Sequence, residues 1–408
     1  MFKELKVIKL LILISLLTGI IFKMDFSDLA IQELYTDKLS YNQGDTVEIY
    51  SSSKSILPFN LEVDITDLSG KIISSFDLAV TKQKSPSKDI LQYGLGYKKY
   101  TEFIISTDFK SGIYLIDNKY PLIVKSKEKS EITVVFPFMN NILYQPVNYT
   151  NVFSNNTPTA NFNRTCEIDS YTKGMANFFS YLNTNYQVNY ITDIEIENDN
   201  NYHLSDLIII YGKSTCWTPK MKTGLEQYIG NGGGILTMVS YFANNICWKS
   251  QKNQITLVAS SNIVSAWQQY NSTMPLSLTG ASYFYSGYSD DKHYKIKDIN
   301  HPIFNGINKS EIDIDAHLFS APPIKWSNNS PSIKLGLMKY YDGEILAYSH
   351  ANYKESQGSK GIFILQPDSN SGKILSLGAE DWCLSRNIGE KQQLQIITKN
   401  AVDYLIQQ

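Results

Sequence analysis

Beyond the first thirty residues, apolar side chains recur at every second position in short runs: TVEIYSSS, FNLEVDITDLSGKIISSFDL, YTEFIISTDFKSGIYLI and YPLIVKS. Alternation with this period places the apolar residues on one face of a strand. The runs are broken at Asn42-Gln43-Gly44, Ser69-Gly70 and Ser111-Gly112, which are turn-forming combinations. Residues 28–126 are therefore expected to form an antiparallel β-sandwich of immunoglobulin-like type. Such modules position or bind, and the segment holds no catalytic constellation.

The period changes after the charged linker KSKEK (125–129). ITVVFPF, QVNYIT, DLIIIYG and ILTMVS are continuous apolar runs, as strands buried on both faces require. Between them GMANFFSYLNTNY spaces Met175, Phe178, Phe179 and Leu182 along one helical face, and a second helix is predicted from Pro219 to Ile229. EILAYSH, GIFILQP and KILSLGA read as further strands, and QQLQIITKNAVDYLIQ as a closing helix. Residues 130–408 thus predict an α/β domain, doubly wound around a mainly parallel sheet of flavodoxin-like or glutaminase-like type. Ligands of such folds bind beyond the carboxyl ends of the strands. That rule selects YQPVNY (144–149), YGKSTCW (211–217), SYFANNICW (240–248) and LGAEDWC (377–383).

The amino terminus changes the expected compartment. Lys3, Lys6 and Lys9 precede the apolar run LLILISLLTGIIF (10–22), the pattern of a secretory signal. No small-residue cleavage site follows before Lys23, so residues 1–27 fit a cleaved peptide or an uncleaved anchor that tethers the chain to a membrane. An extracytoplasmic protein is expected. The balance of 37 Lys+Arg against 39 Asp+Glu, with no basic run, argues against nucleic acid as a partner. A homo-oligomer is compatible with the sequence.

LYQPVNY, SDLIIIYGKSTCWTPKMKTGLEQYIGNGGGILTMVSYFANNICW, PLSLTGASY, KILSLGAEDW and ITKNAVDYL together resemble the large subunit of the N,N-dimethylformamidases, over about residues 111 to 408. The resemblance implies amide hydrolysis at an iron held by two tyrosines and a glutamate. The family's strand-end turn reads Gly-His-Asp-Glu-Tyr-Trp, with the Glu as ligand. Here Lys213 stands at the His and Thr215 at the Glu. One tyrosine position falls on Val147, and the other corresponds to Tyr114 of SGIY. A neutral hydroxyl is a poor ligand for a hard cation, and an ammonium repels it. No iron is therefore expected, and no other cofactor.

The remaining candidates each carry a plainer alternative. Lys213 is a crevice lysine that binds an anion or acts as a base, or an exposed turn residue. Trp217, Trp248 and Trp382 suit stacking on a sugar or another apolar ligand face, with Asn244, Asn245 and Tyr149 as polar partners, or else are packing residues. Glu380 and Asp381 are a candidate acid and base, although neighbouring residues at a strand end point to opposite sides. Cys216 and Cys247 end neighbouring strands, so a bridge between them is expected in an exported chain, leaving Cys166 with Cys383. Two functions compete: a protein binding a small polar molecule or glycan in an aromatic crevice, and a hydrolase of amide C–N bonds with a rearranged site.

Overall fold

Burial alternates along much of the amino-terminal strands Thr46–Ser53, Phe59–Asp67 and Lys99–Ile104, as the period-two pattern predicts, whereas Gly112–Ile116 is buried throughout. The computed structural model describes residues 30–146, 159–197, 205–239, 248–251, 254–257, 282–288, 293–315, 318–321, 324–327, 330–333, 342–353, 356–366 and 369–407. Strands β1 (Ile31–Thr36), β2 (Thr46–Ser53) and β5 (Lys99–Ile104) form one antiparallel sheet. β3 (Phe59–Asp67), β4 (Ile72–Val80), β6 (Gly112–Ile116) and β7 (Tyr120–Val124) form another, in the order β4-β3-β6-β7. Val47 and Ile49 of the first sheet share an apolar cluster with Val63, Ile65, Leu78 and Leu122 of the second.

The carboxyl-terminal part is α/β around a nine-stranded mixed sheet. Its chain order is β8 (Ile132–Phe136), the short β9 (Thr159–Asn161), β10 (Val188–Thr192), β11 (Leu207–Tyr211) and β12 (Gly234–Met238). β13 (Trp248–Gln251) and β14 (Gln254–Leu257) pair with each other, and β14 pairs with β9. Then come β15 (Ser282–Tyr288), β16 (His293–Ile296), β17 (Glu311–Asp313), β18 (Leu318–Ala321), β19 (Ile324–Ser327) and β20 (Ser330–Ile333). β21 (Asp342–Tyr353), β22 (Ser356–Gln366) and β23 (Ile374–Ser376) complete the series.

Across the large sheet the order is β10-β8-β11-β12-β23-β22-β21-β16-β17. Neighbours from β10 to β23 run parallel, while β22, β21, β16 and β17 extend the sheet antiparallel. The predicted sheet is mainly parallel, and this antiparallel wing corrects it. Only residues 354 and 355 separate β21 from β22, which leaves no room for a crossover helix, so the two strands pair antiparallel.

The predicted helices form. α1 (Ala176–Asn185) buries Phe178, Phe179 and Leu182. α2 (Pro219–Gly230) starts where Thr218 caps it, its hydroxyl accepting from Met221 N at 3.2 Å. α3 (Gln392–Ile406) buries Leu394, Ile397, Ala401, Val402 and Leu405 at helical spacing. The two parts of the chain are joined through Glu195, which accepts from Ser40 at 2.5 Å and pairs with Lys125 at 2.9 Å.

Candidate functional site

The parallel strands reverse their order of addition between β8 and β11, so the connections leaving those strands diverge at their carboxyl ends, where such sheets bind ligands. β11 ends at Tyr211, and the chain turns at Gly212, whose φ of 66° favours glycine. Lys213 follows, exposed, and Thr215, half-buried. β23 ends at Ser376, turns at Gly378 with φ 73°, and enters a single helical turn, Glu380–Cys383.

A third segment completes the group. Asp169 caps the short helix Ser170–Gly174, accepting from Thr172 N at 2.7 Å, and so presents Tyr171. Gly174 lets this helix lie against the Glu380 turn, since a Cβ added there would stand 2.1 Å from the Cys383 carbonyl oxygen. Alanine for glycine inside a helix ordinarily stabilises. Here Gly174→Ala is expected to destabilise by about 1–3 kcal/mol, because overpacking against backbone wins. Urea denaturation checks the sign: a gain in stability would mean that the contact is not tight.

Through that contact Tyr171 donates a hydrogen bond to Glu380 Oε1 at 2.8 Å. The Lys213 ammonium stands 5.7 Å from the centroid of the same tyrosine ring. Glu380 is buried at 1% exposure, and burial pushes its carboxyl up to about 7. Tyr171 and Lys213 pull it down again, and Asp381 pushes it up. Burial likewise raises the Tyr171 phenol, with Glu380 adding to the effect. The Tyr144 hydroxyl, raised chiefly by burial, also feels Cys216 and Glu380.

Of the candidates from the sequence, the structure brings together Lys213 and Glu380, on either side of Tyr171. Asp381 is buried too, and its charge acts on Glu380, Tyr171 and Tyr294. The tryptophans are placed otherwise. Trp217 is fully buried with its indole N–H donated to Ser214 O at 3.0 Å, and Trp382 is fully buried with its N–H on Thr398 Oγ1 at 2.9 Å. Both are packing residues and offer no face to a crevice, so the expected aromatic lining is corrected at these two positions. Tyr211 is buried as well, edge-on to Phe179. Trp248 opens β13, opposite Leu257. Val147, Tyr149, Asn244, Asn245 and Cys247, together with residues 1–27, lie outside the described residues.

Tyr114, the tyrosine that the resemblance offers, belongs to the amino-terminal part. It sits in the amino-terminal apolar cluster, edge-on to Phe109, and donates to the Lys110 carbonyl at 2.8 Å. Thr215 donates its hydroxyl to Asn140 Oδ1 at 2.5 Å. Asn140 comes from the short helix Phe138–Tyr144 after β8, which Asp193 anchors by accepting from Met139 N at 3.0 Å. Of the residues carried over from the family, the two that are described do not suit its metal: Tyr114 packs in the amino-terminal cluster, and Thr215 is a neutral group already engaged. Cys166 and Cys383 are separate buried thiols, the latter facing the Met238 carbonyl, which corrects the bridge expected between them.

Sequence reasoning misses Tyr171 and Asn140. Tyr171 lies 209 residues from Glu380, and its only local signal is the Asp169 cap, which marks a helix start and no chemistry.

The family model described as N,N-dimethylformamidase beta subunit-like, C-terminal, matches residues 78–387, more than half of the chain. It begins inside β4, ahead of the residue 111 at which the motifs start. No curated protein gives a match. Among solved structures, a cytoplasmic protein from Salmonella typhimurium is similar at 9% identity and TM-score 0.37, covering 67% of this chain and 98% of that one. A putative thua-like protein from Bacteroides uniformis is similar at 11% identity and TM-score 0.36, covering 69% and 93%. A beta-galactosidase from Bacillus circulans is similar at 10% identity and TM-score 0.37, covering 68% and 31%.

Proposed function

Because this chain belongs to the N,N-dimethylformamidase beta subunit-like family over residues 78–387, we propose that it hydrolyses small amides at a site rebuilt around Glu380, Tyr171 and Lys213. The observation that carries this reading is the Tyr171 to Glu380 hydrogen bond beside Lys213, which holds a buried carboxyl poised near neutral pH at the strand ends. A group titrating near the working pH is suited to take a proton and return it.

In this reaction Glu380, as carboxylate, takes a proton from water as the water oxygen bonds to the amide carbon. The electron pair of the carbonyl moves to its oxygen, where the Lys213 ammonium stabilises the charge. Glu380 then gives the proton to the amide nitrogen, the C–N bond breaks, and a carboxylic acid and an amine leave. Tyr171 orients the carboxyl throughout.

Iron has no part in this scheme. The Thr215 to Asn140 pair replaces the carboxylate ligand that the resemblance implies, and Lys213 adds a repelling charge beside it. Protein purified with added ferrous salt is expected to hold no stoichiometric iron by elemental analysis. One equivalent retained through dialysis would restore the family's metal chemistry.

The second reading, binding of a small polar molecule or glycan without turnover, rests on that same neutral pair. A panel of small formamides, amides and glycans, assayed for heat of binding and for amine release, separates the two. Amine release supports the hydrolase; saturable binding with no product supports the binding protein. We place the protein outside the cytoplasm on the strength of residues 1–27, as a secreted or membrane-anchored chain. We further read residues 28–126 as an immunoglobulin-like sandwich and residues 130–408 as one doubly wound domain, consistent with the strand order β10-β8-β11-β12-β23.

A further inference from the structure

The loop between β2 and β3 of the amino-terminal part turns its apolar residues outward: Ile56 is 79% exposed and Leu57 63%. Three hydrogen bonds fix this shape. Lys82 N donates to the Ser55 carbonyl at 2.7 Å, the Thr81 hydroxyl to the Ile56 carbonyl at 3.1 Å, and the Ser55 hydroxyl to the Leu57 carbonyl at 2.9 Å. Single exposed apolar residues are ordinary on a protein surface, but two large ones held together at a loop tip mark a place of contact.

Charge and chain entry point to what covers the tip. Lys54, Lys82 and Lys84 are exposed beside it, and no aspartate or glutamate occurs in residues 49–61 or 78–88. Glu33, opposite Ser52 on β1, accepts from the Tyr97 hydroxyl. β1 pairs with β2 so that Ile31 faces Ser53, which puts the start of β1 at the same end of the sheet as the loop. Only residues 23–30 separate β1 from the apolar run 10–22. Fully extended, they span at most about 30 Å. A membrane entered by residues 10–22 therefore lies within reach of Ile56 and Leu57.

We propose that the Ile56-Leu57 loop docks on the surface of an anionic lipid bilayer, with the two apolar side chains in the headgroup layer and Lys54, Lys82 and Lys84 facing lipid phosphates. Apolar residues bordered by cations hold proteins on such surfaces through buried area and charge together. The turn Ser69-Gly70, at the opposite end of β3 and β4, stays in water. The proposal rests on the anchored form of residues 1–27 and is independent of the amide chemistry.

The full chain, reconstituted in vesicles of phosphatidylcholine with phosphatidylglycerol, tests it through a polarity-sensitive fluorophore on Leu57→Cys or, as control, on Ser69→Cys. The unsubstituted chain treated alike is the blank, and flotation of the vesicles reports whether the chain is retained. Blue-shifted emission and quenching by spin-labelled lipid are expected at position 57 and not at 69. Ile56→Asp, or Lys54→Gln, Lys82→Gln and Lys84→Gln together, should remove most of the shift while the chain stays on the vesicles. A retained chain with position 57 in water would overturn docking and leave the anchor standing, whereas a chain that does not float would remove the anchor and the proposal with it. An equal shift in phosphatidylcholine alone, or without lipid as a second copy of the chain would cause, would also overturn it.

Discussion

Glu380→Gln is expected to lower kcat/KM for a small amide by about 10²–10⁴-fold while making the folded protein more stable above neutral pH by about 3 kcal/mol. The two effects share one cause. Burial moves the Glu380 carboxyl from its ordinary 4.5 to about 7, so the fold favours the neutral acid. That preference contributes its full stability below about pH 4.5 and is lost as pH rises through 7. Above 7 the protein carries a buried carboxylate, which Tyr171 and Lys213 help to offset. Glutamine keeps an oxygen for the Tyr171 hydrogen bond and never ionises, so its stability stays level while the wild type declines. Urea denaturation at several pH values follows the difference. Curves for the two proteins that stay parallel from pH 4.5 to 8.5 would show that Glu380 titrates normally.

Lys213→Ala is expected to reduce kcat by about 10²–10³-fold, the range for loss of one group that stabilises a developing oxyanion. It also removes an influence that holds the Glu380 carboxyl down, so the acidic limb of the pH–rate profile should move to higher pH. Lys213→Arg retains the charge and should return the limb toward its wild-type position. A lysine that merely fills a turn would leave the limb where it is, whatever happened to kcat. The exposed position of Lys213 makes a folding defect an unsuitable explanation for any loss.

Much of this arrangement was legible in the chain, for identifiable reasons. Strands β8, β11 and β12 are buried on both faces, which forces an unbroken apolar run that no loop would tolerate. Thr218 with Pro219 announces α2, and the Lys213 turn follows from where β11 must end. The carboxyl of Glu380 was placed at the crevice by the same rule.

What the sequence hid was partnership. Nothing local links Tyr171 to a glutamate 209 residues away; the contact depends on Gly174 fitting against the Cys383 backbone. The tryptophans misled because an indole N–H met by a nearby carbonyl or hydroxyl, as in Trp217 and Trp382, looks no different in sequence from one that faces a ligand. Tyr114 illustrates the same difficulty on a strand. β6 is buried along its whole length, so only the packing of the two sheets shows that Tyr114 faces the amino-terminal core.

Amine release from a panel of small formamides and amides, recorded from pH 5 to 9 for wild type and Glu380→Gln, tests the central claim most directly. The rebuilt site predicts release by the wild type with a limb near pH 7 that the variant lacks along with most of the rate. No release by the wild type from any member of the panel, or equal release by the two proteins, would contradict it.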